Sequence, residues 1–198
     1  MEESATKVPT VTPQAQARRK GTARFMPKKG IPEGPPGPWV LLAAWGPCGY
    51  APFAPGTVGT LGAIPLFLAL RRLPPGTYLL AAAAFTALAC LAAAKASPYW
   101  KASDASPIVI DEVAGYLVTM ALAPPSWGSI IAGFLLFRLF DVVKPWPASF
   151  FDRRVKNGFG VVMDDVAAGV WALAALAALQ YLFPVGFGCS GSHFWCLS

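Results

Sequence analysis

Residues 77–94 (TYLLAAAAFTALACLAAA) contain no charged side chain, and residues 166–183 (VAAGVWALAALAALQYLF) contain none either. Each run is close to the length of a helix that crosses a bilayer core. Together they set the fold class: an all-α, small polytopic helical membrane protein. The rest of the composition agrees, with 55% hydrophobic and only 13% charged residues, far from the balance of a soluble domain. The rival reading, buried helices of a soluble bundle, draws on the high alanine content, which weakens the drive to insert.

Shorter apolar arms extend the pattern. Residues 57–70 (TVGTLGAIPLFLAL) contain Pro65 and end at Arg71, Arg72 and the turn sequence PPG. This predicts a helical hairpin whose second arm is the run at 77–94. Residues 113–123 and 129–140 flank APPSWG. At 1.5 Å per residue neither arm reaches across the hydrocarbon, so a short re-entrant-type hairpin is predicted. It returns Asp141 to the side from which Asp111 and Glu112 start, so that acids far apart in sequence can meet.

The acids themselves are patterned. IVIDEVAG at 108–115 and VVMDDVAAG at 161–169 each carry an adjacent carboxylate pair beside an apolar run. Like charges side by side near a low-dielectric region repel unless a metal ion or a basic side chain neutralises them. No acid lies between Glu33 and Asp104, and the remaining seven fall within 62 residues. Helix N-termini attract acids, and Ser106 followed by Pro107 reads as an N-cap with proline at the first helical position. That accounts for placement but not for two adjacent pairs.

Cations share this stretch: Arg138, Lys144, Arg153, Arg154 and Lys156. FRLFDVVKPWP puts Arg138 and Asp141 one helical turn apart before Pro145 and Pro147 end the helix. WPASFFDRRVK at 146–156 sets aromatic residues beside basic ones, as in a segment lying along the lipid interface. GYAPFAPGTVGT at 49–60 is a Gly and Pro loop before an apolar helix, able to bring backbone amides close to an anion. Carboxylates and cations at a membrane surface suit Mg²⁺, a hard ion that takes oxygen ligands and bridges carboxylates to substrate phosphate.

Three regions are expected: a disordered basic, proline-rich tail over 1–38, a membrane domain over 39–183 and a divergent tail over 184–198. The first has seven Lys or Arg and three Glu. It lacks the apolar core and cleavage pattern of a secretory signal, and its basic excess favours the cytoplasmic side. Without interleaved aromatics it suits anionic lipid rather than nucleic acid, at about 1 kcal/mol per basic residue near the surface. Four cysteines do not make a disulfide scaffold, and Cys189, His193 and Cys196 offer zinc only three of its four ligands.

APGTVGTL, IVIDEVAG, FRLFDVVKPWP and FDRRVKNGFGVVMDDVAAG, in this order and spacing, resemble the phosphatidylglycerophosphatase A family over about residues 40–183. The resemblance implies a Mg²⁺-dependent lipid phosphatase of the bacterial inner (cytoplasmic) membrane. It would be multi-pass with its active site facing the cytoplasm, converting phosphatidylglycerophosphate to phosphatidylglycerol in phospholipid biosynthesis. By position, the family's acidic motif matches Asp104, Asp111 and Glu112, its central motif Arg138, Asp141, Lys144 and Pro145, and its last Asp152, Arg153, Gly158, Gly160, Asp164 and Asp165. The catalytic expectation is Asp104, Asp111, Glu112, Asp164 and Asp165. Metal ligands are expected among Asp111, Glu112, Asp141, Asp164 and Asp165, and substrate phosphate contacts from Arg138, Lys144, Arg153, Thr57 and Thr60. The chain departs from the family where members often read GxGY, here Pro47, Cys48, Gly49 and Tyr50, and at Ala105 to Pro107, a stretch often containing glycine.

The mechanism implied is attack of water on a metal-polarised terminal phosphate with one carboxylate as base. Direct attack by an Asp, giving an aspartyl phosphate, is the competing route. Other phosphatase chemistries lack their residues: the only histidine is His193, no cysteine is followed six positions later by arginine, and there is no DxDxT. A cation transporter is the non-enzymatic alternative, since intramembrane carboxylates line ion pathways. It predicts acids near the bilayer midplane rather than at helix ends beside basic partners. With the acids cytoplasmic, Arg71 and Arg72 fall on the opposite side, against the usual charge bias.

Overall fold

A computed structural model describes residues 35–124 and 126–183, and among these residues the chain forms helices and no strand. In order they are α1 (Pro38–Ala43), a 3-10 turn (Cys48–Tyr50), α2 (Pro55–Leu70), α3 (Pro75–Trp100), α4 (Ile110–Thr119), α5 (Trp127–Val143), α6 (Ala148–Arg154) and α7 (Gly158–Leu182). Nearly all of the basic tail, and Cys189, His193 and Cys196, lie outside the described residues.

Helices α3, of 26 residues, and α7, of 25, are long and apolar enough to cross a membrane. Leu79, Leu80, Leu88 and Leu91 of α3, Ile131, Leu135 and Leu139 of α5, and Val170 and Trp171 of α7 are exposed large apolar side chains, as lipid-facing surfaces require. The protein is a small helical membrane protein. Both long helices exceed the charge-free runs that announce them: α3 continues past Lys95 and Pro98 before Lys101 closes it in the left-handed region at φ 52°. Helix α7 starts at Gly158, where the Asn157 side chain accepts the Gly160 N–H at 2.9 Å.

Two local expectations are corrected. Asp164 and Asp165 sit inside α7, in its second turn, rather than at a helix start. The helix carrying Asp111 and Glu112 begins at Ile110 with Val109 at its N-cap and no side-chain cap, so Ser106 and Pro107 do not cap it. The reason is that the preceding segment is pinned elsewhere. Val109 N–H donates to Ala43 O at the end of α1, Ile108 N–H donates to Ala105 O, and the Pro107 carbonyl packs where a side chain on Gly49 would stand. The two loops that depart from the family pattern therefore pack on each other.

Helix α4 is the centre of the bundle. Eight of its ten residues are buried, enclosed by α2, α3, α5 and α7. At 1.5 Å per residue it is about 15 Å long, half the hydrocarbon thickness. It pairs with α5 as the short hairpin, whose second helix is capped by Ser126 accepting the Ser129 N–H at 3.1 Å. Phe67, Tyr78, Tyr116 and Phe137 fill the interior with edge-on ring contacts. Ala89, Ala92, Ala93 and Ala96 are wholly buried on α3, small residues that let neighbouring backbones approach in the way membrane helices favour.

The crossing of α4 and α7 is closest at two glycines. A Cβ on Gly169 would stand 2.4 Å from the Gly115 carbonyl oxygen, and one on Gly115 would stand 2.7 Å from the Asp165 carbonyl oxygen. Thr119 Oγ1 donates to Gly115 O at 3.0 Å and reaches Gly169 O at 3.4 Å. Gly115 lies four residues after Asp111, and Gly169 four after Asp165. Each acid is thus one helical turn from the same contact, and bringing the glycines together brings the acids together.

Candidate active site

A cavity of about 260 Å³ opens where α2, α4, α5 and α7 meet, lined by Asp104, Asp111, Glu112, Arg138, Asp141, Lys144, Asp164 and Asp165 together with Ala54 to Gly56, Ser106, Ile108 and Val161. Every acid expected to be catalytic or metal-binding reaches it. One oxygen each from Asp111, Glu112 and Asp165 lie within 4.8 Å of one another. Asp111 and Asp165 are buried, and Glu112 nearly so.

Two oxygens in this group, Glu112 Oε2 and Asp165 Oδ2, are buried without a hydrogen-bond partner. Others are committed: Asp111 Oδ1 accepts the Glu112 N–H at 3.1 Å, and Asp164 Oδ1 accepts the Asp165 N–H at 3.0 Å. A buried carboxylate oxygen with nothing to bond costs free energy. A set of carboxylate oxygens with idle lone pairs is what a hard divalent cation requires, so the residues present fit Mg²⁺.

Two cations flank the acids. Arg138 Nη1 lies 2.7 Å from Asp141 Oδ2, one turn along α5, and 3.8 Å from Glu112 Oε1. Neither contact aligns as a hydrogen bond, leaving Nη1 with donor capacity at the cavity. Lys144 follows α5 in the left-handed region at φ 48°, which a residue with a Cβ adopts only when its surroundings hold it there. Its Nζ bridges Asp164 Oδ2 at 2.5 Å and Asp152 Oδ1 at 2.9 Å. Burial works against the Lys144 charge, but the hydrogen bonds to Asp164 and Asp152 outweigh it and raise its pKa. The same hydrogen bond from Lys144 lowers the Asp152 pKa.

Gly56, in the first turn of α2, admits the Glu112 carboxylate: a Cβ there would stand 2.0 Å from Glu112 Oε1 and 3.2 Å from Arg138 Nη1. The loop 49–60 thus serves the site through a missing side chain and nearby backbone. Its threonines do not line the cavity. Thr60 is fully buried with Oγ1 donating to Gly56 O at 2.8 Å, and Thr57, half-buried, is not among the lining residues. Arg153 is also apart from the cavity, exposed on α6, because the side chain that α6 turns toward the acids is Asp152. Gly56, Gly115 and Gly169 escaped the reading of the sequence. The matched spacing of acid and glycine in the two paired-acid stretches was the signal for the last two.

Fold and site together define a helical membrane protein built around an acid-lined, cation-flanked cavity suited to a phosphorylated substrate. The chain belongs to the phosphatidylglycerophosphatase A family, whose model matches residues 41–180. It is 36% identical over 150 residues to phosphatidylglycerophosphatase A of Escherichia coli, covering 75% of this chain and 87% of that protein. It is 38% identical over 146 residues to the Haemophilus influenzae protein of the same name, covering 73% and 90%. A protein of Bacteroides thetaiotaomicron provisionally named phosphatidylinositol-3-phosphatase is 37% identical over 151 residues, covering 72% and 94%. No solved structure matches the chain. The protein is therefore a phosphatase enzyme, and nothing in these comparisons supports a cation transporter.

Proposed function

We propose that this protein hydrolyses phosphatidylglycerophosphate to phosphatidylglycerol and phosphate, with Mg²⁺ as cofactor, at the cytoplasmic face of a bacterial inner membrane that it crosses more than once. The observation that carries the reading is the convergence of carboxylate oxygens from Asp111, Glu112 and Asp165, with Glu112 Oε2 and Asp165 Oδ2 unbonded, in the cavity that Arg138 and Lys144 also line. The two relatives named for this activity support the substrate. The basic N-terminal region supports the orientation.

Asp111, Glu112 and Asp165 would hold the ion, with Asp141 and Asp164 adjoining. Bound there, Mg²⁺ supplies charge that polarises the terminal phosphate and offsets the repulsion of the acids. Arg138 presents Nη1 to a phosphoryl oxygen, a charge-assisted contact that a planar guanidinium forms well. Lys144, held protonated between Asp152 and Asp164, supplies the second positive charge. A carboxylate of the cluster accepts the proton of the attacking water as its oxygen bonds to phosphorus. The ester oxygen–phosphorus bond breaks, and the proton is returned to the departing oxygen so that the lipid leaves as an alcohol. The exposed apolar side chains of Trp146 and Phe150, two and six residues after Lys144 in the chain, suit the lipid part of the substrate.

The test is phosphate release by the detergent-purified protein from phosphatidylglycerophosphate and, in parallel, from phosphatidylinositol 3-phosphate, with Mg²⁺ and with chelator. Release from the first substrate that needs metal and is lost in Asp111→Asn supports the proposal. Preference for the second substrate overturns the substrate assignment, and undiminished release in chelator overturns the metal.

A further inference from the structure

A second polar feature lies at the other end of the bundle. Arg71 follows the last residue of α2, and its Nη1 is buried with no hydrogen-bond partner. It lines a cavity of about 40 Å³ whose other walls, Phe67, Leu73, Tyr78 and Met120 among them, are apolar or already bonded. The hydroxyl among the lining residues, Tyr78 Oη, donates to Leu117 O at 2.8 Å. Gly56, at the start of α2, touches Glu112, so Arg71 lies roughly 22 Å along that helix from the acid-lined cavity.

No carboxylate can answer this guanidinium from within the described residues. Asp104, Asp111, Glu112, Asp141, Asp164 and Asp165 all line the distant cavity, and Asp152 is bound to Lys144 beside it. Arg72, exposed next to Arg71, adds a second positive charge. A water would satisfy the idle N–H, and the cavity has about three times the room one water needs. A water would leave both charges uncompensated, however, at the end of two apolar helices where the surrounding anions are lipid phosphates. Arginine is the side chain best suited to phosphate oxygens.

We propose that Arg71 binds the phosphodiester of one phospholipid in the leaflet opposite the acid-lined cavity, with Arg72 reinforcing the attraction. The site explains a pair of arginines on the side that the usual charge bias leaves poor in them. It rests on the membrane placement of the fold and not on the substrate proposed above.

The full chain, released from detergent in a native mass spectrometer after incubation with phosphatidylglycerol, diacylglycerol or inorganic phosphate, tests it. The wild type should retain one phosphatidylglycerol, equally with chelator present and in Asp165→Asn, which separates this site from the acid cavity. Arg71→Gln should lower that occupancy about tenfold, the scale of one charge-assisted hydrogen bond, while Arg71→Lys keeps most of it. Equal retention in wild type and Arg71→Gln would overturn the site; if the glutamine variant does not fold, Arg72→Gln at the exposed neighbour takes its place, with lowered retention expected and undiminished retention overturning the site. Retention of diacylglycerol as strong as that of phosphatidylglycerol would overturn the role of phosphate. Binding of inorganic phosphate with no lipid retained would overturn the lipid as its source.

Discussion

Gly56→Ala separates the geometry of the site from the stability of the fold. The added Cβ would stand 2.0 Å from Glu112 Oε1, about 1.4 Å short of ordinary contact. The obstacle is the end of a flexible side chain rather than backbone, so the carboxylate swings aside and the bundle survives. Alanine also removes the entropic penalty of glycine in a helix, worth about 0.5–1 kcal/mol. The expected change in unfolding free energy is therefore within about 1 kcal/mol. Glu112, however, leaves its place beside Asp111, Asp165 and Arg138. A displacement of about 1 Å in a positioned group can cost 100-fold in rate, so kcat/KM for lipid phosphate release should fall about 100-fold and the Mg²⁺ concentration for half activity should rise. Gly76→Ala, where a Cβ meets nothing within 4 Å, is the matched control and should leave both unchanged. Near-normal activity in a folded Gly56→Ala protein would refute the claim that Glu112 must stand where Gly56 lets it.

Asp165→Asn should abolish phosphate release yet raise the thermal midpoint in chelator, because one of three crowded carboxylates loses its charge; about 1 kcal/mol is expected, and a midpoint below wild type would contradict it. Gly169→Ala presses a Cβ to 2.4 Å from a backbone oxygen that cannot swing away, so it should destabilise by about 1–3 kcal/mol, read by thermal unfolding in detergent. Asp152 has its pKa lowered by Lys144, so its share of stability is full above the unfolded value near 4 and lost as pH falls through the lower folded value. The midpoint gap between wild type and Asp152→Asn should accordingly be constant at neutral pH and close below about pH 4; a gap that persists there would show that the bond to Lys144 does not set it.

Much of the fold was legible because hydrocarbon is a severe solvent. A charge-free run of bilayer length has few alternatives to a helix, and both long helices stand where those runs announce them. Helix ends were less legible. Ser106 and Pro107 have the chemistry of an N-terminus, but hydrogen bonding to α1 and packing against Gly49 decide where α4 begins, and those partners are remote in sequence. In the site, acids and cations could be read as residues whose cost requires a use. Thr57 and Thr60 looked equally able to touch phosphate, yet a hydroxyl in an apolar helix can bond its own backbone, as Thr60 does. The glycines were the least visible, because their contribution is space, and space belongs to whichever helix fills it.

The enclosure of α4 bears on the membrane itself. Bilayers of different thickness act on helices that touch lipid, tilting or stretching their surroundings to match hydrophobic length. Where α3 and α7 cross the bilayer that strain falls on their outer faces, whereas the helix carrying Asp111 and Glu112 is almost wholly buried and is registered against α7 through a glycine contact only a turn from the acids. The spacing of the carboxylates is thereby insulated from acyl-chain length, and one site geometry can serve membranes whose composition shifts with growth.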